Sequence, residues 1–408
     1  MPPKPIRIEP GDIAILSGLR QNEKPFEPVA YEFSILEMLE VIEQLLDSIT
    51  KGPDLPLVWM DEFGAAVKTE GQYKLYRNRR VGRIVESLQQ LRKVIELIPP
   101  HCLSPRVQAF YRIFWDPAYS DCRETSLDPE VEKVWETTIN IGNRVPATRF
   151  DYRDFVPDMR WEFSQEQAMR LIDMLTPYYD CLKAVLKHPD LKLAHNNRLK
   201  QARDHYQSLT SLFRATCKTY PEVLLVYLEL SVPAAKGEDT AAPESYIHLN
   251  KAKAEFLKDR QHTRLFHGLA CYAWKYRYTR DRGLVCVMIL LFDYTEQTQL
   301  YALTQALTER WRSVAPEGGQ CWSPSPTARP QSYQYYGRLD CTEKAVKDGF
   351  AALARLMGLY GAYVQPRPPK NLRVFGTSKL PGVKSRPKKK SRTGTKNKKN
   401  QSNTEAKS

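Results

Sequence analysis

The stretch 281–295, DRGLVCVMILLFDYT, decides how the second half of the chain folds. It opens with a charged turn that ends in Gly283 and continues as a long apolar run, which is typical of a buried strand. Alternation places two sets of apolar side chains on opposite sides of that strand. The first set is Val285, Val287, Ile289 and Leu291, and the second is Leu284, Cys286, Met288 and Leu290. The pattern therefore predicts a strand that is buried on both sides.

The segments around this strand alternate between strand and helix patterns. Further strands are expected at 222–233 and 267–279, with a short strand at 332–339, and the segment 372–378 closes the domain. Helices are expected at 246–266, 295–314 and 342–364, whereas EGGQCW (317–322) is interpreted as a turn. Because a hairpin-length turn joins two of the strands, residues 221–382 are predicted to form an α+β domain. Its sheet would be antiparallel, with helices on one face.

The first half of the chain has a different pattern. Residues 1–30 are rich in proline and are expected to be irregular. Apolar residues at helical spacing then predict helices at 31–50, 81–98, 164–188 and 194–220. We therefore expect a helical domain at 31–220 that serves for interaction, although the sequence does not define its role.

The basic character of the chain is concentrated at its end. Residues 384–408 contain ten Lys or Arg and one Glu, which leaves +5 of the net charge of +14 for all other residues. The segment 383–408 is expected to be a disordered tail whose lysines, Lys388, Lys389 and Lys390 among them, contact phosphates. The alternative is a tail that only aids solubility.

Several common classes of site and location are disfavoured by the sequence. The eight cysteines include no Cys-x-x-Cys pair, and no P-loop motif is present. The N-terminus has no apolar signal segment, and no apolar run is long enough for a membrane span. The expectation is a soluble cytoplasmic protein with reduced thiols and no membrane partner.

Four stretches in the second half carry a family resemblance. They are LACYAWKYRYTRDRG (269–283), LVCVMILLF (284–292), ERWRSVAPEGGQCW (309–322) and LRVFGTSKLPG (372–382). In this order, residues 221–382 resemble the YagK/YfjJ C-terminal family, also called the inovirus-type replication protein family. That family is similar to HUH-type rolling-circle replication initiators, so the resemblance implies an HUH/RRM-like domain that acts on DNA.

The resemblance also implies a catalytic site whose positions are altered in this chain. In HUH proteins two histidines at i and i+2 of a strand bind a divalent metal, and a tyrosine attacks the scissile phosphate. The histidine positions fall on Val285 and Val287, which offer a metal no lone pair. The third ligand position falls near Arg277, and the tyrosine position falls near Leu356. A register shift of about one helical turn would make Tyr360 or Tyr363 the nucleophile.

Basic residues next to aromatic ones are the candidates for nucleic-acid contact. Alternation along WKYRYTRDR (274–282) separates an aromatic side from a basic side that could meet phosphates. The opposite interpretation is an amphipathic strand with a solvated charged side. The candidates outside the tail are Lys275, Arg277, Arg280, Arg282, Arg338 and Arg373.

Three functional hypotheses follow from these observations. The first is a DNA-binding protein of a mobile genetic element or prophage that lacks nicking activity, needs no cofactor and binds single-stranded or hairpin DNA. The second is an active nicking enzyme that uses Tyr360 or Tyr363 and requires Mg²⁺ or Mn²⁺. The third is a non-catalytic protein-interaction factor that binds partners through its N-terminal helices.

Overall fold

The computed structural model describes residues 27–51, 73–74, 80–114, 162–163, 165–233, 243–258, 260, 262–279, 282–294, 299–323, 337–365 and 368–380. The predicted disordered tail and most of the predicted irregular N-terminus lie outside these residues. Residues 27–30 are described, and they are helical rather than irregular.

The described residues form a mixed α+β structure with eight α-helices. The helices are α1 (Glu27–Lys51), α2 (Arg80–Ile95), α3 (Pro105–Phe114), α4 (Gln165–Lys187), α5 (Pro189–Thr219), α6 (Pro243–Phe256), α7 (Leu300–Val314) and α8 (Lys344–Tyr363). The strands are β1 (Tyr73–Lys74), β2 (Glu162–Phe163), β3 (Glu222–Ser231), β4 (Leu269–Thr279), β5 (Gly283–Asp293), β6 (Gln320–Trp322), β7 (Gly337–Asp340) and β8 (Phe375–Thr377). Short 3₁₀ turns lie at Pro100–Cys102 and Arg264–Phe266.

The main sheet has six strands, and all of its pairings are antiparallel. β5 lies between β3 and β4, and β8 pairs with the outer edge of β4. Both β6 and β7 pair along the outer edge of β3, at opposite ends of that strand. The predicted α+β class and antiparallel sheet are therefore confirmed. The strand β6 was not predicted, because QCW was interpreted as part of a turn.

Helices cover the sheet on both faces, so the expectation of helices on one face is wrong. The physical reason is the double apolar pattern of β5, since ten of its eleven residues are buried and each face needs an apolar layer. One set of β5 side chains packs with buried residues of α5 and α8, namely Leu209, Leu212, Phe213, Phe350, Ala354 and Met357. The other set packs with buried residues of α6 and α7, namely Tyr246, Leu249, Phe256, Leu307 and Trp311.

Helices α1 to α4 form a second apolar core, and α5 belongs to both cores. Leu191, in the first turns of α5, packs into the core of α1 to α4, whereas Leu209 packs against the sheet. Tyr278, Tyr360 and Val364 from the sheet region also enter the helical core. The long helix α5 therefore fixes the sheet against the helical part of the chain.

Close packing between α5 and α8 depends on a glycine. A Cβ atom added at Gly358 would lie 2.8 Å from Tyr206 Cβ and 3.1 Å from the Ala202 carbonyl oxygen. A larger side chain at this position would separate the two helices, because the atoms it meets belong to the backbone or its first side-chain carbon. None of the described helices combines the length and apolar composition that a bilayer-spanning helix requires.

Candidate functional site

The two strand positions at which the resemblance places metal-binding histidines are buried by close packing. Val285 is 0% exposed and Val287 is 3% exposed, and both lie in the apolar layer under α5 and α8. Val287 pairs in register with Glu229 on β3 and Lys275 on β4, and Val285 pairs with Arg277. Within the described ranges, no group of three His, Cys, Asp or Glu side chains is arranged to hold a metal.

One buried carboxylate organises the charges around these valines. Glu229 is fully buried, and its two oxygens accept hydrogen bonds from Arg277 and Arg282. Tyr227 Oη also donates to Glu229 Oε1, at 2.9 Å. Burial alone would raise the pKa of Glu229, but the charges of Arg277 and Arg282 outweigh that effect and lower it. The carboxylate therefore stays ionised, as a buried ion pair requires. We call Glu229, Arg277, Arg282 and Tyr227 the Glu229 cluster.

Lys275 is directed at the end of helix α8. Its Nζ donates to the Met357 carbonyl and, at 3.3 Å, to the Gly358 carbonyl. These two carbonyl oxygens, in the last two turns of α8, satisfy the hydrogen bonds of the buried ammonium. Burial lowers the pKa of Lys275 to about 7, with a further contribution from the positive charge of Arg198.

Arg198 on α5 is a second cation at the same helix end, and sequence reasoning did not identify it. Its guanidinium donates to the carbonyl oxygens of Gly361 (3.1 Å), Leu103 (2.7 Å) and Cys102 (2.9 Å). Arg198 thereby joins α5, α8 and the segment before α3. Nothing in its local sequence distinguishes it from other arginines of α5, because its partners are distant backbone carbonyls.

The two candidate nucleophiles have structural surroundings. Tyr360 is 3% exposed, and its hydroxyl donates to the Tyr278 carbonyl oxygen at 2.8 Å. Tyr363 is half-buried and packs against the helical core. A cavity of about 30 Å³ lies between Tyr360, Lys275, Arg277 and Val287. At about 10–15 Å³ for each water, it has room for a water molecule or two but not for a nucleotide phosphate.

The predicted phosphate contacts on the sheet divide into buried and exposed residues. Lys275 and Arg277 are 3% and 7% exposed beneath α8, so the expectation that their side of β4 meets DNA is corrected. A buried charge requires a partner, and each has one inside the protein. Arg282 is held by Glu229 at the edge of the cluster. Arg280 and Lys388, Lys389 and Lys390 lie outside the described residues.

Two of the predicted contacts do lie at the surface. The side chain of Arg338 is 58% exposed, forms an ion pair with Glu222 at 2.7 Å, and lies 4.6 Å from the centroid of the Tyr294 ring. Arg373, before β8, is also exposed. Both residues remain predicted nucleic-acid contacts.

The largest alignment of surface cations among the described helices lies on α5, which the sequence analysis treated only as an interaction helix. At 100° per residue, five cations fall within an arc of about 80° on this helix. They are Lys192, Lys200, Arg203, Arg214 and Lys218, of which Arg203 is half-buried and the other four are exposed. The acidic residues of α5 are Asp190 and Asp204. Helical spacing of cations with few acids is the signal that would have identified this basic stripe.

Comparisons of the chain with protein-family models, with curated proteins and with solved structures gave no match. The function proposed below therefore rests on the geometry of the described residues, on the composition of the chain and on the resemblance noted in its sequence.

Proposed function

We propose that this chain is a non-catalytic DNA-binding protein that acts in the replication of a mobile genetic element or prophage. The observation that carries the proposal is the basic stripe of α5. Lys192 and Lys218 are 26 positions apart, which corresponds to about 39 Å along an α-helix and is close to one turn of duplex DNA, about 34–36 Å. Cations spaced along such a surface bind phosphates irrespective of base sequence.

The tail supports the same proposal by composition. The ten Lys and Arg residues among 384–408 add positive charge that binds phosphates in the same way as the stripe. The basic stripe of α5 and the tail together favour the binding of polyanions. Single-stranded or hairpin DNA is the class of ligand that we expect.

The charges around the Glu229 cluster argue against metal-dependent catalysis. Arg277 and Arg282 surround the carboxylate of Glu229, and Lys275, with Arg198 near it, adds further positive charge on the sheet face that the resemblance assigns to a metal. A divalent cation would be repelled from such a net positive region. Tyr360, on the buried side of α8, also donates its hydroxyl hydrogen to the Tyr278 carbonyl oxygen.

The interaction-factor hypothesis receives less support. The exposed large apolar residues of the described part are Met169, Leu193, Leu199, Ile247, Tyr301 and Leu380. They are distributed over α4, α5, α6, α7 and the segment after β8, which is the scattered pattern that ordinary protein surfaces have.

The test is a gel-shift titration of labelled single-stranded and hairpin DNA with three forms of the full-length protein. The stripe variant carries Lys192→Glu, Lys200→Glu and Arg203→Glu. The control variant carries Lys251→Glu, Arg264→Glu and Arg312→Glu, which makes the same change of net charge at exposed positions on α6, on α7 and in the segment before β4. We expect the stripe variant to lose at least about tenfold in affinity at about 0.1 M salt. Its salt dependence should become shallower by about one unit for each phosphate that the variant no longer neutralises.

Three outcomes of the same titration would contradict parts of this proposal. Equal losses in the stripe and control variants would show that net charge alone matters and would overturn the assignment to α5. A cut strand that requires Mn²⁺, with a covalent protein–DNA band that is absent in Tyr360→Phe or Tyr363→Phe, would overturn the non-catalytic proposal. If neither the variants nor the wild type bound DNA at low salt, the interaction factor would be favoured.

A further inference from the structure

A pocket of about 400 Å³ opens between the C-terminal half of α5 and the first turns of α8. This volume lies within the range of small-molecule sites, about 300–1,000 Å³. Phe213 and Phe350 line it with stacked rings whose centroids are 4.5 Å apart. Arg214, Lys218 and Lys347 surround it with three exposed cations. The pocket therefore combines an apolar base with a positively charged rim.

Two thiols meet at the wall of this pocket. Cys217, in the last turn of α5, is half-buried and lines the pocket directly. Cys341, which follows β7, is 2% exposed and donates a hydrogen bond to Cys217. The Cys341 backbone N–H also donates to the Pro221 carbonyl at 2.8 Å, which fixes this residue next to the end of α5. A small molecule in the pocket can thus reach Cys217 first and Cys341 only through it.

The two thiols differ in how readily they ionise. The hydrogen bond from Cys341 and the charge of Lys347 lower the pKa of Cys217 despite its partial burial. The same hydrogen bond, together with burial, raises the pKa of Cys341. Asp340, next to Cys341, adds a negative charge that also raises the pKa of Cys341. Cys217 therefore ionises more readily than Cys341, which donates the hydrogen bond between the two thiols.

We infer that this pocket is a thiol–disulfide exchange site for a small anionic disulfide of the glutathione class, with Cys217 as the attacking residue and Cys341 as the resolving residue. The site lies near the C-terminal end of α5, whereas Lys192, Lys200 and Arg203 lie in the first half of that helix. It does not depend on the DNA-binding proposal.

The exchange proceeds in two balanced steps. The Cys217 thiolate attacks one sulfur of the small disulfide, whose S–S bond breaks and whose other half leaves as a thiolate. Cys341 then loses its proton to solvent, and its sulfur attacks Cys217 Sγ in the mixed disulfide. A Cys217–Cys341 disulfide forms as the second half leaves as a thiolate, so two electrons pass from the protein thiols to the small disulfide.

The cations of the rim select the charge of the ligand. Arg214, Lys218 and Lys347 come from two helices and face one opening, so they attract carboxylates and repel ammonium groups. The apolar base accommodates the methylene carbons of such a ligand. A cationic disulfide would reach the same thiols, but the positive charges of the rim would repel it.

The experiment compares two probes that differ in charge. Full-length protein is incubated with oxidised glutathione, which is anionic, or with cystamine, which is dicationic, and intact mass and peptide mapping are followed over time. We expect oxidised glutathione to react at Cys217 at least about tenfold faster than cystamine. The wild type should end as an internal disulfide without a retained adduct, whereas Cys341→Ser should retain one glutathionyl group on Cys217.

Matched variants separate the role of the thiols from that of the rim. Cys217→Ser should abolish the reaction, and Cys321→Ser, which removes another half-buried thiol on β6, should leave it unchanged. Arg214→Gln with Lys218→Gln should reduce the preference for oxidised glutathione without changing the reacting residue. Thermal unfolding of each variant establishes that it is folded. Equal rates for the two probes, adduct formation mainly at Cys321, or no retained adduct in folded Cys341→Ser would overturn the assignment.

Discussion

The face of the sheet under α6 and α7 and the face under α5 and α8 each bury one lysine ammonium, in different surroundings. On the first face, Lys253 lies 3.1 Å from the Trp274 ring centroid and donates to the Tyr276 hydroxyl at 2.8 Å. On the second face, Lys275 donates to backbone carbonyls at the end of α8, next to the Glu229 cluster.

The difference shows how each face tolerates charge. Lys253 is stabilised by aromatic rings and a neutral hydroxyl, so its layer needs no anion. The face under α5 and α8 contains several cations and depends on a single carboxylate, Glu229, to balance the two guanidinium groups of Arg277 and Arg282. We therefore expect the second face to be far more sensitive to the loss of one charge.

The sharpest test of this contrast is Glu229→Gln. Without the carboxylate, Arg277 and Arg282 keep their positive charges inside the protein with no anion, and the free energy of unfolding should fall by about 3–5 kcal/mol. The measurement is urea unfolding followed by circular dichroism. Glu222→Gln is the matched control on the same strand, because its ion pair with Arg338 is exposed and should contribute about 0–1 kcal/mol. Similar decreases in the two variants would contradict the special role of Glu229.

The second test uses the pH dependence of the two lysines. Burial lowers the pKa of Lys275 to about 7 and that of Lys253 to about 8, below the ordinary lysine value of about 10.5. Between the folded and unfolded pKa values the unfolded chain binds more protons, so stability rises with pH in that window, by at most about 1.4 kcal/mol per pH unit for each lysine.

Lys275→Met and Lys253→Met each remove one of these contributions. Relative to Lys275→Met, the wild type should gain stability from about pH 7 upward, and relative to Lys253→Met from about pH 8 upward. Burial lowers the pKa of His205, which lies near Lys275, to about 3, so it stays neutral throughout this window. Unfolding free energies measured at about pH 6, 7, 8 and 9 give the two onsets. A difference that falls with rising pH for either variant would contradict the pKa directions.

The elements that these tests concern were largely predictable from the sequence. Hydrophobic periodicity placed β3, β4, β5 and their neighbouring helices, since long patterns of period 2 or 3.6 report burial directly. The same alternation in β5 already indicated that both faces of the sheet are covered. The expectation of helices on one face was wrong because the order of strands and helices does not determine how many faces are covered, whereas the two apolar sets of β5 require cover on both.

The polar interior was less predictable, although one signal was present. The segment EVLLVYLELS begins with Glu222 and is otherwise apolar up to Glu229, which lies in its interior, and a charge inside a buried strand indicates a buried partner. Lys275 and Arg277 alternate with aromatic residues on β4, a pattern that an exposed basic side would also produce. Their burial depends on α8 lying over them, which is a long-range contact that local spacing does not encode.

A third test concerns the close contact that holds α8 over the charged face. In Gly358→Ala, the new methyl group would clash with Tyr206 and the Ala202 carbonyl, and overpacking of this kind costs about 1–3 kcal/mol. Alanine favours an α-helix over glycine by up to about 1 kcal/mol, so the two effects have opposite signs. We expect net destabilisation in urea unfolding. A stabilised variant would show that α5 and α8 are not in close contact at this point.

The smallest expected effect belongs to Tyr360, and it distinguishes a structural tyrosine from a nucleophile. Tyr360→Phe keeps the ring in the helical core and removes only the hydrogen bond to the Tyr278 carbonyl, so the free energy of unfolding should fall by about 0.5–1.5 kcal/mol. The affinity for single-stranded DNA should not change, because the Tyr360 side chain is 3% exposed on the buried side of α8 and is closed to ligands in solution. Tyr276→Phe, on the other face, should cost more, since the Tyr276 hydroxyl both accepts from Lys253 and donates to Asn250. If Tyr360→Phe were as stable as the wild type but lost a metal-dependent cleavage of DNA, the tyrosine would have to reach a phosphate, and the closed arrangement of α8 over the sheet would not be the functional state.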